Sequence, residues 1–581
     1  MQRNGVIGIR WSAIVAIGTV LAACGGGSGG RAPVIESLTA SPGWLTVGGS
    51  AMISWSVINA TSVSLAPLGE QTGTSASVAP SADTTYVLTA TNTYGSTTAQ
   101  ITIPVYPPPN VWFAPYPLVA PGDGSVDYMQ LFQQGAPWTN AASHVQVFKV
   151  YAGMWGGDPS YSTADMTNMI NFLASQHIGL ATEWGPLIPG FNCGGGGLEG
   201  FAGQYGLGDA QIIARLGGNL HYIAFDEPEY YGGLYTGANA CNWTETLLAQ
   251  KAAATVAQIR TVFPDVIVGD IEPVPALYVT PDWLDHYLAW IDAWQATTGT
   301  PFAFFDFDVQ QGTDWRPWDT ALRIALAARG VPHGVIYDGT STQNTDDEWI
   351  SAAEGFFTLR ELYGSPPPDQ VIFQSWNPNP SHVLPETDPG AFTYLIDTYF
   401  RTRTVMTATL GVGAISGDLA LSSGAPVAMA PINATATATD GSGQTVNFGP
   451  VQTAADGSFT LSPVVLPAGN FELWTQYAGS DTLWPAASGT AVGSAPPLAL
   501  TTASLPDGTA GTAYNQDLSA SGGTPPYVWV GWGAPSGIVV HQDGTVSGTP
   551  AVSGTYSVAV WVVDDSEPTQ VVTAKLSLII H

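Results

Sequence analysis

The sequence predicts a multidomain chain, with a central (β/α)8 TIM-type barrel preceded by one all-β sandwich and followed by two more. Three observations carry that reading. The chain has 581 residues, more than one hydrophobic core holds. Between about Asn110 and Arg403 apolar β runs alternate with helical stretches. On either side the helical rhythm is absent, and short alternating strands are separated by turn residues.

Taken in order, residues 1–23 read as an export signal, in which Arg3 and Arg10 precede the apolar run Trp11 to Val20. The run is shorter than the roughly 20 residues that a spanning helix needs. The ending Leu21-Ala22-Ala23-Cys24 resembles the bacterial lipoprotein signal, which implies cleavage before Cys24 and lipidation of its thiol. An ordinary secretory signal is the alternative. By the resemblance, the chain would be lipid-anchored to a bacterial membrane, at the outer membrane or cell surface, and would touch lipid only through that anchor. Residues 24–32 would then be the anchor and a Gly/Ser tether. With Cys24 so used, Cys193 and Cys241 remain as a disulfide candidate in an oxidising compartment, with two free thiols as the alternative.

Residues 33–106 alternate as a sandwich does, in Ala51 to Val57 and Thr85 to Thr91. Ser54-Trp55-Ser56-Val57 and Thr84-Thr85-Tyr86 resemble the immunoglobulin-like modules of bacterial surface proteins. Residues 107–408 form the expected barrel, opened by the stiff linker Pro107-Pro108-Pro109. Its eight strand candidates are Val111 to Tyr116, Val145 to Tyr151, Ile178 to Trp184, Leu220 to Glu227, Val266 to Glu272, Pro301 to Asp308, Gly334 to Asp338 and Val371 to Trp376. Helices are expected over Thr163 to His177, Thr244 to Phe263, Pro281 to Thr297, Trp318 to Arg329, Asp346 to Tyr363 and Phe392 to Thr402. A doubly wound open sheet would carry a glycine-rich phosphate turn after its first strand, and Phe113-Ala114-Pro115-Tyr116 is no such turn. Residues 411–496, with Asp456-Gly457-Ser458-Phe459, resemble another bacterial immunoglobulin-like repeat. Residues 497–581, with Gly522-Gly523-Thr524-Pro525-Pro526-Tyr527 and Gly544-Thr545-Val546-Ser547-Gly548-Thr549-Pro550, resemble the putative-Ig, cadherin-like family, which implies a fold and no particular ligand.

Barrel enzymes work at the C-terminal ends of their strands. Five consecutive strand candidates end in acids: Glu183, then Asp226 and Glu227, Asp270 and Glu272, Asp306 and Asp308, and finally Asp338. Like charges packed together repel and raise one another's pKa, so such a set costs stability and points to chemistry. A salt-bridged or calcium-binding rim is the alternative. Glycoside hydrolysis needs a proton donor with a raised pKa and a second carboxylate to meet the oxocarbenium-like centre. Glu227, ending the central strand beside Asp226, is the expected donor, and Asp338, Glu272 and Asp308 are candidates for the partner. Asp226-Glu227-Pro228 resembles substrate-assisted N-acetylhexosaminidases, which implies a polarising role for Asp226. The commoner barrel glycosidases carry Asn-Glu on strand four and a Glu nucleophile on strand seven; Asp226 and Asp338 depart from both patterns.

Glu183, Trp184, Asp306, Asp308, Trp376 and Asn377 are expected to bind substrate. Lys149 joins them if it faces the barrel interior, where it needs a carboxylate partner; an exterior lysine is the alternative. Tryptophans and tyrosines near the strand ends, Trp184 and Trp376 foremost, could stack on sugar faces.

Only 14 Lys and Arg stand against 45 Asp and Glu, a net charge of −31 that disfavours nucleic acid. No P-loop and no Gly-X-Ser-X-Gly elbow appears, and none of the histidines pairs at helical metal-ligand spacing. The expectation is a cell-surface glycoside hydrolase acting on a neutral or amino-sugar polysaccharide or oligosaccharide, with no cofactor, no metal, no nucleic acid and no nucleotide. The alternative is a non-catalytic glycan-binding or adhesion lipoprotein.

Overall fold

The computed structural model describes residues 31–108, 110–117, 124–155, 161–276, 279–313, 315–363, 367–438, 444–466, 470–492, 498–565 and 569–581. The signal, Cys24 and most of the tether lie outside the described residues. Among the described residues no helix is long and apolar enough to cross a membrane.

Eight parallel strands close into a barrel in sequence order. They are β1 (Val111–Ala114), β2 (Val147–Tyr151), β3 (Gly179–Trp184), β4 (Tyr222–Asp226), β5 (Ile267–Val274), β6 (Phe305–Val309), β7 (His333–Tyr337) and β8 (Gln370–Gln374), with β8 pairing back onto β1. Around them run α1 (Thr139–His144), α2 (Thr163–Ser175), α3 (Gly206–Arg215), α4 (Glu245–Ile259), α5 (Trp283–Thr298), α6 (Arg316–Arg329), α7 (Asp346–Tyr363) and α8 (Phe392–Tyr399).

Local chemistry explains the helix ends. Ser162 and Asp165 form a reciprocal capping box that opens α2. Left-handed Gly299 closes α5, and left-handed Gly330 closes α6. The sequence reading passes over α1 and α3. The first is six residues long, and the second begins Gly206-Leu207-Gly208, where helix propensity is low.

The first sandwich pairs a three-stranded sheet with a four-stranded one over Ile53, Trp55, Leu65, Leu88 and Ile103. The second uses Thr404–Gly411, antiparallel to Ala414–Leu421, as its opening strand, so it begins before residue 411 and takes over the last residues expected of the barrel. The third places Val528–Trp532 beside Gly554–Val563 and Val571–Ile580.

Each sandwich is joined to the barrel by specific contacts. Trp44 and Tyr106 of the first reach the floor of the barrel, where their rings meet His221 edge-on at 4.7 and 4.4 Å. Asp83 pairs with His177 at 2.9 Å, and the Gly43 N–H donates to Asp265 at 2.7 Å. Trp484 of the second stacks on Phe357 of α7 and lies 3.4 Å beneath the Arg403 guanidinium. In the third, His541 meets Asp285 at 2.6 Å, the Gln542 side chain accepts from the Leu284 N–H, and Val528 and Val530 join the barrel's own core. These contacts hold the floor and the outer helices.

Candidate active site

Residues alternate between the interior and the helix-facing wall along each strand. The lower interior is apolar, filled by Trp112, Tyr222, Phe304, Ile271, Ile336 and Ile372. In phase with them, one step toward the C-terminal ends, come Lys149, Glu183, Asp226, Asp306, Asp308, Asp338 and Gln374.

Lys149 lies inside the barrel and is 1% exposed. Its Nζ donates to Glu183 Oε2 at 2.5 Å and to Gln374 Oε1, while Gln374 Nε2 donates to the same Glu183 oxygen at 2.8 Å. This closed triangle satisfies a charge that burial would otherwise make costly. Asp306 is fully buried, and neither carboxyl oxygen has a hydrogen-bond partner among the described residues. Burial pushes its pKa up to about 7 despite the pull of Lys149. Glycine at 334 leaves the room that this carboxyl occupies.

At the mouth, β4 ends at Asp226 and the backbone turns at Glu227 with φ of 48°, a left-handed conformation unusual for a side chain of this size. The Glu227 N–H donates to the Ile271 carbonyl at 3.1 Å, so the turn is tied to β5. Burial first, then the charges of Asp308, Asp226 and Glu199, hold the Glu227 carboxyl well above the usual carboxylate range. Asp226 is raised by burial, Glu183 and Glu199, and Asp308 is pushed up to about 8 by burial, Asp338 and Glu183. Asp338 is different. Burial raises it only to about 6, because the Thr340 N–H at 2.9 Å and Gln311 Nε2 at 2.7 Å stabilise its charged form. The mouth thus combines carboxyls that keep a proton at neutral pH with one, Asp338, that releases it.

Two expected site residues face elsewhere. Glu272 is out of phase with the interior residues Gly269 and Ile271, and it points to the helix-facing wall. It is fully buried and accepts the backbone N–H groups of Glu229 at 2.7 Å and Tyr230 at 3.0 Å. It shapes the turn after Glu227 and has no surface left for a substrate. Asp270 shares that wall and accepts from the Trp290 indole at 2.6 Å. Trp184, out of phase with Glu183, packs over Gly206, and its indole donates to the Ala202 carbonyl at 3.1 Å. It is core and offers no sugar platform. Trp376 remains 37% exposed, and beside it Asn377 carries a buried side-chain nitrogen with no hydrogen-bond partner among the described residues. Half-buried Tyr230 and Tyr231 meet edge-on next to the Glu227 turn.

The sequence reading passes over two contributors. Glu199 is exposed in the loop after β3, and Gly200, with φ of 81°, packs against the carbonyls of Asp226 and Glu227. The Cys193–Cys241 disulfide, with Cα atoms 5.0 Å apart, ties this loop to the segment after β4. Gln311, which orients Asp338, stands in the loop after β6. A lone acid in a glycine-rich loop and a glutamine beyond a strand carry no spacing signal; only the disulfide hints that the first loop lies over the acids.

Residues 496–578 match the family described as "Putative Ig domain". No curated protein matches the chain. Among solved structures, the chain is similar to β-glucuronidase 3 of Bacteroides uniformis, at 10% identity and a TM-score of 0.32, over 93% of this chain and 77% of that one. It is similar also to the endo-β-1,4-mannanase of Thermotoga petrophila, at 10% identity and a TM-score of 0.29, over 63% of this chain and 95% of that one. Neither likeness bears on the reaction at such scores, and the closed barrel rests on the chain's own strand pairing.

Proposed function

We propose that the barrel is a glycoside hydrolase acting on a neutral or amino-sugar polysaccharide, with Glu227 as the proton donor. The observation that carries this reading is the Glu227 turn. A left-handed residue at the end of the central strand presents a carboxyl that burial and three neighbouring acids keep protonated, at the face where barrels do chemistry.

Glu227 would give its proton to the glycosidic oxygen as the C–O bond breaks, and the Asp338 carboxylate would face the developing oxocarbenium-like centre. Water completes the cleavage and restores both protonation states. Asp226, beside Glu183, would hold a hydroxyl or acetamido group of the sugar, and Asp308, protonated at neutral pH like Glu227, would offer a second hydrogen-bond donor to it. Trp376, Tyr230 and Tyr231 would supply the aromatic surface, and Asn377 a free amide. The mouth offers an ionised Asp338 and, among the described residues, no unpaired cation to meet a uronate or a sulfate, since Lys149 is paired with Glu183, which favours neutral or cationic sugars.

We further propose that the chain is exported and lipidated at Cys24, so that the barrel works at a cell surface. Palmitate labelling of the expressed chain, abolished by Cys24→Ala, tests this part independently.

The hydrolase reading is tested by Glu227→Gln, assayed for release of reducing ends from neutral and N-acetylated polysaccharides. The expected loss is at least about 100-fold, the usual contribution of a general acid, with the thermal midpoint unchanged or higher. Equal activity in the variant would overturn the assignment of Glu227. Glycan binding without cleavage by the unaltered protein across the panel would favour the adhesion reading.

A further inference from the structure

Behind the Glu227 turn, on the outer wall of the barrel, three side chains from three separate elements converge. Glu229 follows β4, Glu245 opens α4, and His286 stands on the first turns of α5. One ligand atom from each lies within 4.8 Å of the other two. Glu229 is 1% exposed, and its Oε2 is buried with no hydrogen-bond partner among the described residues. Gly233 leaves room for this carboxyl, since a Cβ there would lie 2.6 Å from Glu229 Oε1. The turn that carries Glu229 continues into a π-helical segment, Tyr230–Leu234, a rare form found frequently at functional sites.

The charge balance is one-sided. Glu272 and Asp270 lie beside Glu229, and no Lys or Arg forms an ion pair with any of these acids among the described residues. The basic side chain that faces the cluster is His286, whose Nδ1 lies 2.7 Å from Glu245 Oε1. Its Nε2 faces Asp282 Oδ2 at 3.8 Å. A small movement of the exposed Asp282 side chain would bring it within hydrogen-bond range of that nitrogen, the arrangement that orients a metal-bound histidine. His286 and Glu245 are partly exposed, which gives a path from solvent.

We propose that Glu229, Glu245 and His286 form a binding site for a divalent transition-metal cation of the Zn2+ type. Two carboxylate oxygens and one imidazole nitrogen match the mixed donor set of such ions, whereas Ca2+ prefers six or more oxygens. Donor atoms around a tetrahedral Zn2+ stand about 3.3 Å apart, so small side-chain rotations complete the set, and water takes the open side. The bound ion ties α4, α5 and the turn after β4 together and neutralises the acids behind Glu227. The ligands come from distant points of the chain, so they form no spacing motif, and the sequence reading expects no metal.

The test uses the full chain after EDTA treatment and dialysis, titrated with Zn2+ alone by calorimetry and followed by thermal melting. One equivalent is expected to bind and to raise the midpoint by several degrees. Glu229→Gln and His286→Ala are each expected to weaken binding at least tenfold. His286 is partly exposed, so its variant decides the matter if the Glu229 variant does not fold. The absence of a Zn2+-dependent shift in the unaltered protein, or unchanged binding in His286→Ala, would overturn the proposal. A larger response to Ca2+ than to Zn2+ would overturn the assignment of the ion class. None of these readouts depends on sugar cleavage, so the site stands or falls apart from the proposed activity.

Discussion

The two ends of the barrel are built from the same eight strands and obey opposite rules. At the floor, Trp44 and Tyr106 of the first sandwich close over His221 and Tyr222, with Trp112 and Phe304 above them. His221 is so well buried that its pKa falls to about 3, and its Nδ1 accepts the Leu180 N–H, so it is a neutral packing group. At the mouth, titratable groups are crowded together, and burial holds several of them in their protonated form. Apolar area removed from water stabilises the floor. The mouth gives up stability for reactivity, as a site does when preorganised charge is its purpose.

That contrast can be broken from either end. Trp44→Ala should have the largest effect on stability, about 3–5 kcal/mol by the usual cost of removing a buried aromatic. Urea unfolding would show it, and activity per folded molecule should be unchanged. A matching loss of turnover would mean that the floor communicates with the mouth.

Lys149→Met should cost about 3 kcal/mol, because Glu183 and Gln374 lose their buried cation. It should lower activity too, since Lys149 pulls down Asp226 and Asp308. Adding Glu183→Gln should recover most of the unfolding midpoint and little of the activity. Recovery of both would make the triangle purely structural.

A third comparison separates stability from activity by pH. Asp306 and Asp209 at about 7, Asp308 at about 8 and Asp338 at about 6 all lie above the unfolded value near 3.9. Between that value and each folded value the native state binds more protons than the unfolded chain, so stability falls as pH rises. The thermal midpoint should therefore climb as pH is lowered from 8 to 5. Activity should fall below about pH 6, where Asp338 takes up its proton. Parallel curves for the two quantities would remove Asp338 from the reaction.

Much of this was legible in the residues. The strand ends in acid were visible, and β3, β4 and β7 carry Glu183, Asp226 and Asp338 in phase with small or apolar interior residues. The same alternation shows why other readings failed. Trp184 is adjacent to Glu183 and so faces the opposite wall. Asp270 and Glu272 flank Ile271, which belongs to the barrel interior. The end of β5 misleads because the strand runs on to Val274, so an acid read as a strand end is a strand middle. Contacts made across the chain, such as Gly200 on the carbonyls of Asp226 and Glu227 or Gln311 on Asp338, depend on loop paths that no local pattern encodes.

The first sandwich has a mechanical consequence. Its hairpin Thr84–Asn92 with Gly95–Ile103 begins beside the residues that meet the barrel floor and ends at Asn92, which donates to the Arg31 carbonyl. Eight residue steps of strand at about 3.3 Å each make the hairpin roughly 26 Å long. The sandwich therefore acts as a standoff post. Arg31 sits at the end of the sandwich remote from the barrel floor, on the side of the barrel opposite the mouth, which leaves the mouth clear for a polymer chain to lie across it.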